Sequence, residues 1–297
     1  MNRVLLLATG GTIAGCGADS VSVNTYTAGV LAGDDLLDAV PPLRDIADIQ
    51  VEQVANVDSA DLLFQHWRAL VQRIRLAFAS DPDLTGVVIT HGTNTLEETA
   101  WLLQLLIDDM RPVVLVGAMR PATALSADGP LNLFQAVQVA CNRQARQRGV
   151  LAVMDGEIHA AAVVTKRATQ GVGAFTSSGA GPLGRLDDAG VTWSGAATRP
   201  PTPFATLELP KQWPQVAVLH GCVEPPGVVL PALLKAGIQG LVFTGTGAGQ
   251  LSVVERDALA AWPEPLPLML RANRCGSGPV YGNSEDERLG LLAAGSL

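Results

Sequence analysis

The stretch Arg3-Val4-Leu5-Leu6-Leu7-Ala8-Thr9-Gly10-Gly11-Thr12-Ile13-Ala14-Gly15 decides how the whole chain is read. Arg3–Ala8 reads as a first β-strand. Its apolarity is continuous rather than alternating, the pattern of a strand covered on both faces in a parallel sheet. Two glycines and two threonines follow at once. In open parallel α/β sheets, ligands bind beyond the carboxyl ends of the strands, and glycines let a backbone approach a ligand closely. The segment is open to three readings: a nucleophile-bearing loop, a phosphate cradle, or a glycine-rich turn with satisfied threonines. The Gly-x-Gly-x-x-Gly and Walker spacings are both missing. Ile13-Ala14-Gly15-Cys16 also has the form of a lipoprotein cleavage box. A secretory leader needs about 7–15 apolar residues, and Thr9-Gly10-Gly11-Thr12 breaks the run too early.

Similar apolar runs recur at Val87–Thr90, Val113–Val116, Val150–Met154, Val216–Leu219 and Leu241–Thr244. Helical patterns lie between them. Leu63, Trp67, Leu70, Ile74 and Phe78 form one stripe at spacings of three and four. Thr95 with Glu98 predicts a capping box ahead of Trp101–Leu106. Asp128 and Pro130 open a helix that runs through Phe134, Val137 and Cys141. Strands alternating with helices predict an α/β fold with largely parallel sheets. The proline-rich segment Ser194–Pro214 reads as a linker. The expected layout is a larger N-terminal α/β domain over 1–193, a linker over 194–214, and a smaller C-terminal α/β domain over 215–297.

Composition narrows the function classes. Hydrophobic residues make up 48% of the 297, and charged residues only 16%, against about 25% in soluble domains. That balance excludes global disorder. The net charge of -8 gives no basic face for nucleic acid. No apolar run approaches the roughly 18 residues of a spanning helix. Cys16, Cys141, Cys222 and Cys275 form no Cys-x-x-Cys pair and read as small buried hydrophobes in a reducing compartment. His66, His91, His159 and His220 show no ligand spacing, so no metal is expected.

Three further segments carry polar chemistry. Thr90-His91-Gly92-Thr93-Asn94-Thr95 stands where a strand ends and a helix begins, a place where backbone N–H groups can meet an anion. There His91 reads as an oriented structural histidine. Lys166 follows the apolar Val163-Val164, and burial would lower its pKa toward that of a base. Gly245-Thr246-Gly247-Ala248-Gly249 superficially suggests a dinucleotide loop, but the glycine at the sixth position is missing.

Taken together, these segments resemble the bacterial-type L-asparaginase family, which includes glutaminase-asparaginases. The matching pieces run in order: Thr9–Gly15, Tyr26-Thr27, Asp58-Ser59, His91-Gly92-Thr93, Gly117-Ala118-Met119-Arg120-Pro121, Ser126–Leu133, Thr165-Lys166 and Gly181-Pro182-Leu183-Gly184. The resemblance implies a cytoplasmic hydrolase of L-asparagine, built as a homo-oligomer, dimer or tetramer, and acting without a cofactor. It implies that Thr12 is the nucleophile of an acyl-enzyme, assisted by Tyr26. It pairs Thr93 with Lys166 and with Asn94 at the position of the family's aspartate. It assigns substrate contacts to Gly11, Ser59, Ala60, Gly92 and Ala118.

The sequence departs from that pattern at four positions expected to hold the substrate's α-ammonium: Asn94, Ala60, Ala248 and Asn283, none of them acidic. The departures predict weak asparaginase activity or an amide substrate lacking a tightly bound ammonium. Asn94 also favours an alternative, a non-catalytic amino-acid-binding protein on the same fold. The chain stops soon after Leu289–Ala294, so the family's helical tail is expected to be absent and the tetramer altered.

Overall fold

A computed structural model describes residues 1–293 of the chain. The end of the chain, on which the expectation of a shortened tail rests, lies outside the described residues. The chain divides into two compact units, Met1–Leu209 and Pro210–Leu297.

The first unit is built on an eight-stranded sheet. Its spatial order is Gly190–Trp193, Gly184–Asp187, Glu157–Ala160, Val150–Met154, Val113–Val116, Leu84–Thr90, Asn2–Gly10 and Ala47–Val57. The last five in that order are parallel to one another, and the first three add antiparallel pairs. Successive side chains of a strand point to opposite faces, so continuous apolarity feeds two cores. Leu5, Leu7, Val87 and Ile89 pack beneath Leu70, Ile74, Leu96 and Leu103 of the helices Phe64–Ser80 and Leu96–Leu106. Val4, Leu6, Val88 and Val114 pack on the other side against Leu133, Ala136 and Val137 of the helix Gly129–Cys141.

The strand order creates the site. From Asn2–Gly10 the chain moves outward to Ala47–Val57, then returns to the opposite side as Leu84–Thr90 and continues away. The connections above Asn2–Gly10 and Leu84–Thr90 therefore part in opposite directions and leave a crevice at their carboxyl ends. Such switch points are where open α/β sheets bind ligands.

The second unit holds four parallel strands in the order Val216–His220, Gly240–Gly245, Leu268–Asn273 and Leu291–Ala293. The helices Val229–Lys235, Val253–Ala260 and Ser284–Leu289 alternate with them. Leu234, Leu241, Phe243, Met269 and Leu289 form its core. The Gly245–Gly249 segment folds tightly on itself. A Cβ at Gly245 would stand 2.4 Å from the Gly249 carbonyl carbon, and Thr246 pairs with Gln250. These glycines serve a close backbone approach.

The structure corrects several expectations. Of the segment 194–214, read as an interdomain linker, the part through Leu209 lies with the first unit. Phe204 N–H donates to Leu105 O at 3.1 Å. The Arg75 guanidinium holds the carbonyls of Ala205 and Leu207 at 2.7 and 3.0 Å, and Leu209 packs on the first core. Forked donors on Arg75 thus fasten a stretch poor in apolar periodicity. The expected Thr95–Glu98 capping box does not form, because Thr95 Oγ1 donates instead to Ser59 O at 2.8 Å. None of the cysteines is fully buried: Cys16 and Cys141 are half-buried, and Cys222 and Cys275 are exposed.

Candidate active site

Two loops meet at the crevice. After the strand Asn2–Gly10, Gly10 and Gly11 adopt φ of +99° and +81°, values that favour glycine. A Cβ on Gly11 would stand 2.2 Å from Gly92 Cα, and one on Gly92 would stand 2.6 Å from Ser59 Oγ. The two glycines therefore let the loops from neighbouring strands touch backbone to backbone, with Ser59 against them. Gly11 N–H donates to Val57 O at 2.8 Å, and Gly11 O accepts from Gly29 N–H at 3.1 Å.

The close approach positions two hydroxyls, each with its own partner. Thr12 opens the short 3-10 turn Thr12–Ala14 and is buried. Its Oγ1 lies 2.7 Å from Tyr26 Oη, with either oxygen able to donate. Gly15 makes room for that tyrosine, since a Cβ there would stand 2.8 Å from the Tyr26 ring. Thr93, also buried, follows the strand Leu84–Thr90. Lys166 Nζ donates to Thr93 Oγ1 at 2.8 Å and to Asn94 Oδ1 at 3.2 Å. Lys166 ends the short strand Val164–Lys166, which pairs with Phe175–Ser177. Burial pushes the Lys166 pKa below the usual lysine range, opposed by the charges of Asp58 and Glu97. A partly desolvated amine of this kind suits proton transfer.

Ser59 is buried, and its Oγ accepts from Asn94 N–H at 3.1 Å. Ala60 N–H is taken by Asp58 Oδ1 at 2.8 Å. Ala118 is buried beside the Gly117 segment, where a Cβ on Gly117 would stand 3.0 Å from Thr93 Cγ2. Asp128 holds that segment by accepting from Met119 N–H and Arg120 N–H, each at 2.9 Å. Asn132 Nδ2 adds a bond to Gly117 O at 3.1 Å.

His91 is fully buried and sits beneath the site. Its Nδ1–H donates to Gly92 O at 2.7 Å, so the neutral ring's Nε2 accepts from Thr99 Oγ1 at 2.9 Å, while Thr99 Oγ1 itself accepts from Trp67 Nε1 at 2.8 Å. Burial pushes the His91 pKa down to about 4, so the ring is neutral at pH 7. Held by Gly92 O on Nδ1 and by Thr99 on Nε2, it is an oriented histidine of the interior.

Thr12, Tyr26, Gly11, Gly92, Thr93, Asn94, Ser59, Ala60, Ala118 and Lys166 all belong to the first unit. Ala248 and Asn283 belong to the second. The Asn283 side chain caps the helix Ser284–Leu289, with Oδ1 accepting from Glu285 N–H and Asp286 N–H at 2.9 Å each. Sequence reasoning gave no role to Asp58, Glu97 or Asn132. Asp58 carried a usable signal, being an acidic residue directly before the Ser59–Asp61 turn that it caps.

Comparison with known proteins identifies relatives over nearly the whole chain. The family profile described as "Asparaginase, N-terminal" matches residues 3–199. An L-asparaginase 2 of Bacillus subtilis (strain 168) is 40% identical over 299 residues, covering 99% of this chain and 79% of that one. A glutaminase-asparaginase of Acinetobacter glutaminasificans is 36% identical over 303 residues, covering 100% of this chain and 91% of that one. The crystal structure of a probable cytoplasmic L-asparaginase from Campylobacter jejuni matches with a TM-score of 0.89 at 37% identity, covering 98% of this chain and 89% of that one.

Proposed function

This chain belongs to the asparaginase family, and from that membership we propose that it hydrolyses L-asparagine to L-aspartate and ammonia through a threonine acyl-enzyme. It is an amidohydrolase of the L-asparaginase type. The observation that carries the mechanism is the pair of separately served hydroxyls, Thr12 with Tyr26 at 2.7 Å and Thr93 with Lys166 at 2.8 Å. A threonine hydroxyl is a weak nucleophile until a neighbour takes its proton. Thr12 Oγ1 attacks the side-chain amide carbon as Tyr26 takes up the Thr12 proton and passes its own phenolic proton on toward the leaving nitrogen. Backbone N–H groups near Thr12, Thr93 and Ala118 stabilise the oxyanion. The C–N bond breaks, the nitrogen takes up a proton and leaves as ammonia, and an ester to Thr12 remains. A water activated by Thr93 and Lys166 then hydrolyses the ester, which returns the Thr12 hydroxyl and releases aspartate. Ser59 holds the substrate carboxylate.

Ammonia release from asparagine, glutamine and simple amides tests this reading. Thr12→Ala abolishes release on asparagine. Asn94→Asp tests the substrate. Asparagine turnover that becomes tight and fast in that variant overturns a preference for amides without an α-ammonium. A silent chain that still binds asparagine supports the second reading, a binding protein, which the neutral Asn94 favours. A cytoplasmic location and a homo-oligomeric assembly belong to the same proposal. Among the described residues no helix is long and apolar enough to cross a membrane. The apolar Val4–Ala8 is the interior of the strand Asn2–Gly10, paired on both sides. Cell fractionation and light scattering test both.

A further inference from the structure

Asn94 lacks the charge of an aspartate, yet a carboxylate stands one side chain further on. Asp58 Oδ1 accepts from Asn94 Nδ2 at 3.1 Å, and Asn94 Oδ1 accepts from Lys166 Nζ at 3.2 Å. Lys166 in turn reaches Thr93 Oγ1 at 2.8 Å. The four groups form an unbroken chain: carboxylate, amide, amine, hydroxyl.

The chain has one consistent polarity. An ionised carboxylate only accepts hydrogen bonds, while an amide has one accepting end and one donating end. Turning the Asn94 amide over would set its oxygen against Asp58 Oδ1 and, while Lys166 is protonated, its N–H groups against the ammonium, two mismatched contacts at once. When Lys166 is neutral, it keeps one lone pair and two N–H groups. If one N–H is committed to Asn94 Oδ1, the lone pair is free to face the Thr93 hydroxyl.

We propose that Asp58 is a positioning residue of this site: it holds the Asn94 amide with its oxygen toward Lys166 and thereby aims the Lys166 amine at Thr93. This rests on the amidohydrolase reading above and names the residue that replaces a carboxylate at position 94. A carboxylate at 94 would touch Lys166 directly and hold its proton. An amide in between leaves the acid close enough to orient the amine but weakens its grip on the proton. The other charged groups near Lys166 are Glu97, whose Oε2 accepts from Lys166 N–H at 2.6 Å, Glu98 on the same helical turn, and the adjacent Arg167. The paired strand Phe175–Ser177 brings no titratable side chain. Glu97 accepts from the Lys166 backbone, whereas Asp58 is the carboxylate that accepts from the Asn94 amide.

Two variants separate charge from geometry. Asp58→Asn keeps an oxygen for the N–H groups of Ala60 and Asn94 but removes the charge. Asp58→Ala removes both. The chain holds only three lysines, Lys166, Lys211 and Lys235, so NMR of 13C-labelled lysine follows each one. The signal missing in Lys166→Gln assigns Lys166. Asp58→Asn lowers the Lys166 pKa, and Asn94→Asp raises it. Asp58→Ala removes the same charge and the amide's anchor as well, so it lowers the Lys166 pKa further than Asp58→Asn does; identical Lys166 titrations in the two variants overturn the proposal, and this readout needs no turnover.

Kinetics supply the second arm. Asp58→Ala lowers kcat on asparagine about tenfold with little change in KM, and the loss largely disappears in the Asn94→Asp background, because a carboxylate has two equivalent oxygens and needs no orienting partner. An equal loss in both backgrounds means that Asp58 only caps the Ser59–Asp61 turn, and the proposal fails. Absence of ammonia release from the unaltered chain counts against the asparaginase reading instead, and the lysine titration still decides the role of Asp58.

Discussion

A single methyl group at Gly11 would close the approach on which the site depends. Its Cβ would stand 2.2 Å from Gly92 Cα, at a φ of +81° that L side chains avoid. Gly11→Ala should therefore destabilise the chain by about 2–4 kcal/mol, the sum of left-handed strain and overpacking, read from urea unfolding. It should also depress turnover, since Thr12 follows directly. His91 makes a pH prediction at the same scale. Its folded pKa of about 4 lies below the 6.5 of a free histidine, so the unfolded chain binds the proton first. The stabilising contribution is complete above pH 6.5 and is lost as pH falls toward 4. The loss from this group is about 2 kcal/mol between pH 7 and pH 5. Urea unfolding of His91→Gln at both pH values should show that much less acid sensitivity. Neither glycine pair nor histidine network was visible as a contact in the sequence, though both glycines lay in segments singled out for their chemistry.

Elements were legible wherever apolarity was local. The runs Val113–Val116 and Val150–Met154 are strands with those same bounds, and Leu70, Ile74 and Phe78 do form the buried stripe of the helix Phe64–Ser80. Continuous apolarity marks strands covered on both faces, so it missed those at the margins. Ala47–Val57 carries Asp48, Gln50 and Glu52 along an edge, and Glu157–Ala160 and Gly184–Asp187 interleave charged residues with buried ones. The helix Gly129–Cys141 shows an element serving the site. Its N-cap residue, Asp128, accepts from Met119 N–H, Arg120 N–H and Asn132 Nδ2 rather than from the backbone of its own first turn. Asp128→Ala leaves two backbone donors without their partner. It should cost about 1–3 kcal/mol and lower kcat through the Gly117-Ala118 segment, checked by thermal unfolding and steady-state kinetics.

Over the whole molecule, two units solve the same packing problem with different polar investments. The first hides its strands between two apolar layers. The second buries an ion pair, Arg271 with Asp286 at 2.5 Å, beside its apolar cluster. The Arg271 guanidinium also reaches the carbonyls of Ala248, Gly249 and Tyr281, so one side chain ties together two loops of that unit. Arg271→Met strands the Asp286 carboxylate and should cost about 3–5 kcal/mol, seen as loss of hydrogen-exchange protection in the strand Leu268–Asn273. Adding Asp286→Leu should restore part of it. By itself the sequence determined the α/β class, the apolar strands and the segments that carry the chemistry, because those signals lie within a few residues of one another. Only the tertiary structure decided which polar groups meet. Asn94 finds Asp58 across 36 residues and Lys166 across 72, and no local pattern encodes such contacts. They arise because reversing the strand order beside Asn2–Gly10 brings distant loops to one crevice, where paired glycines let their backbones touch.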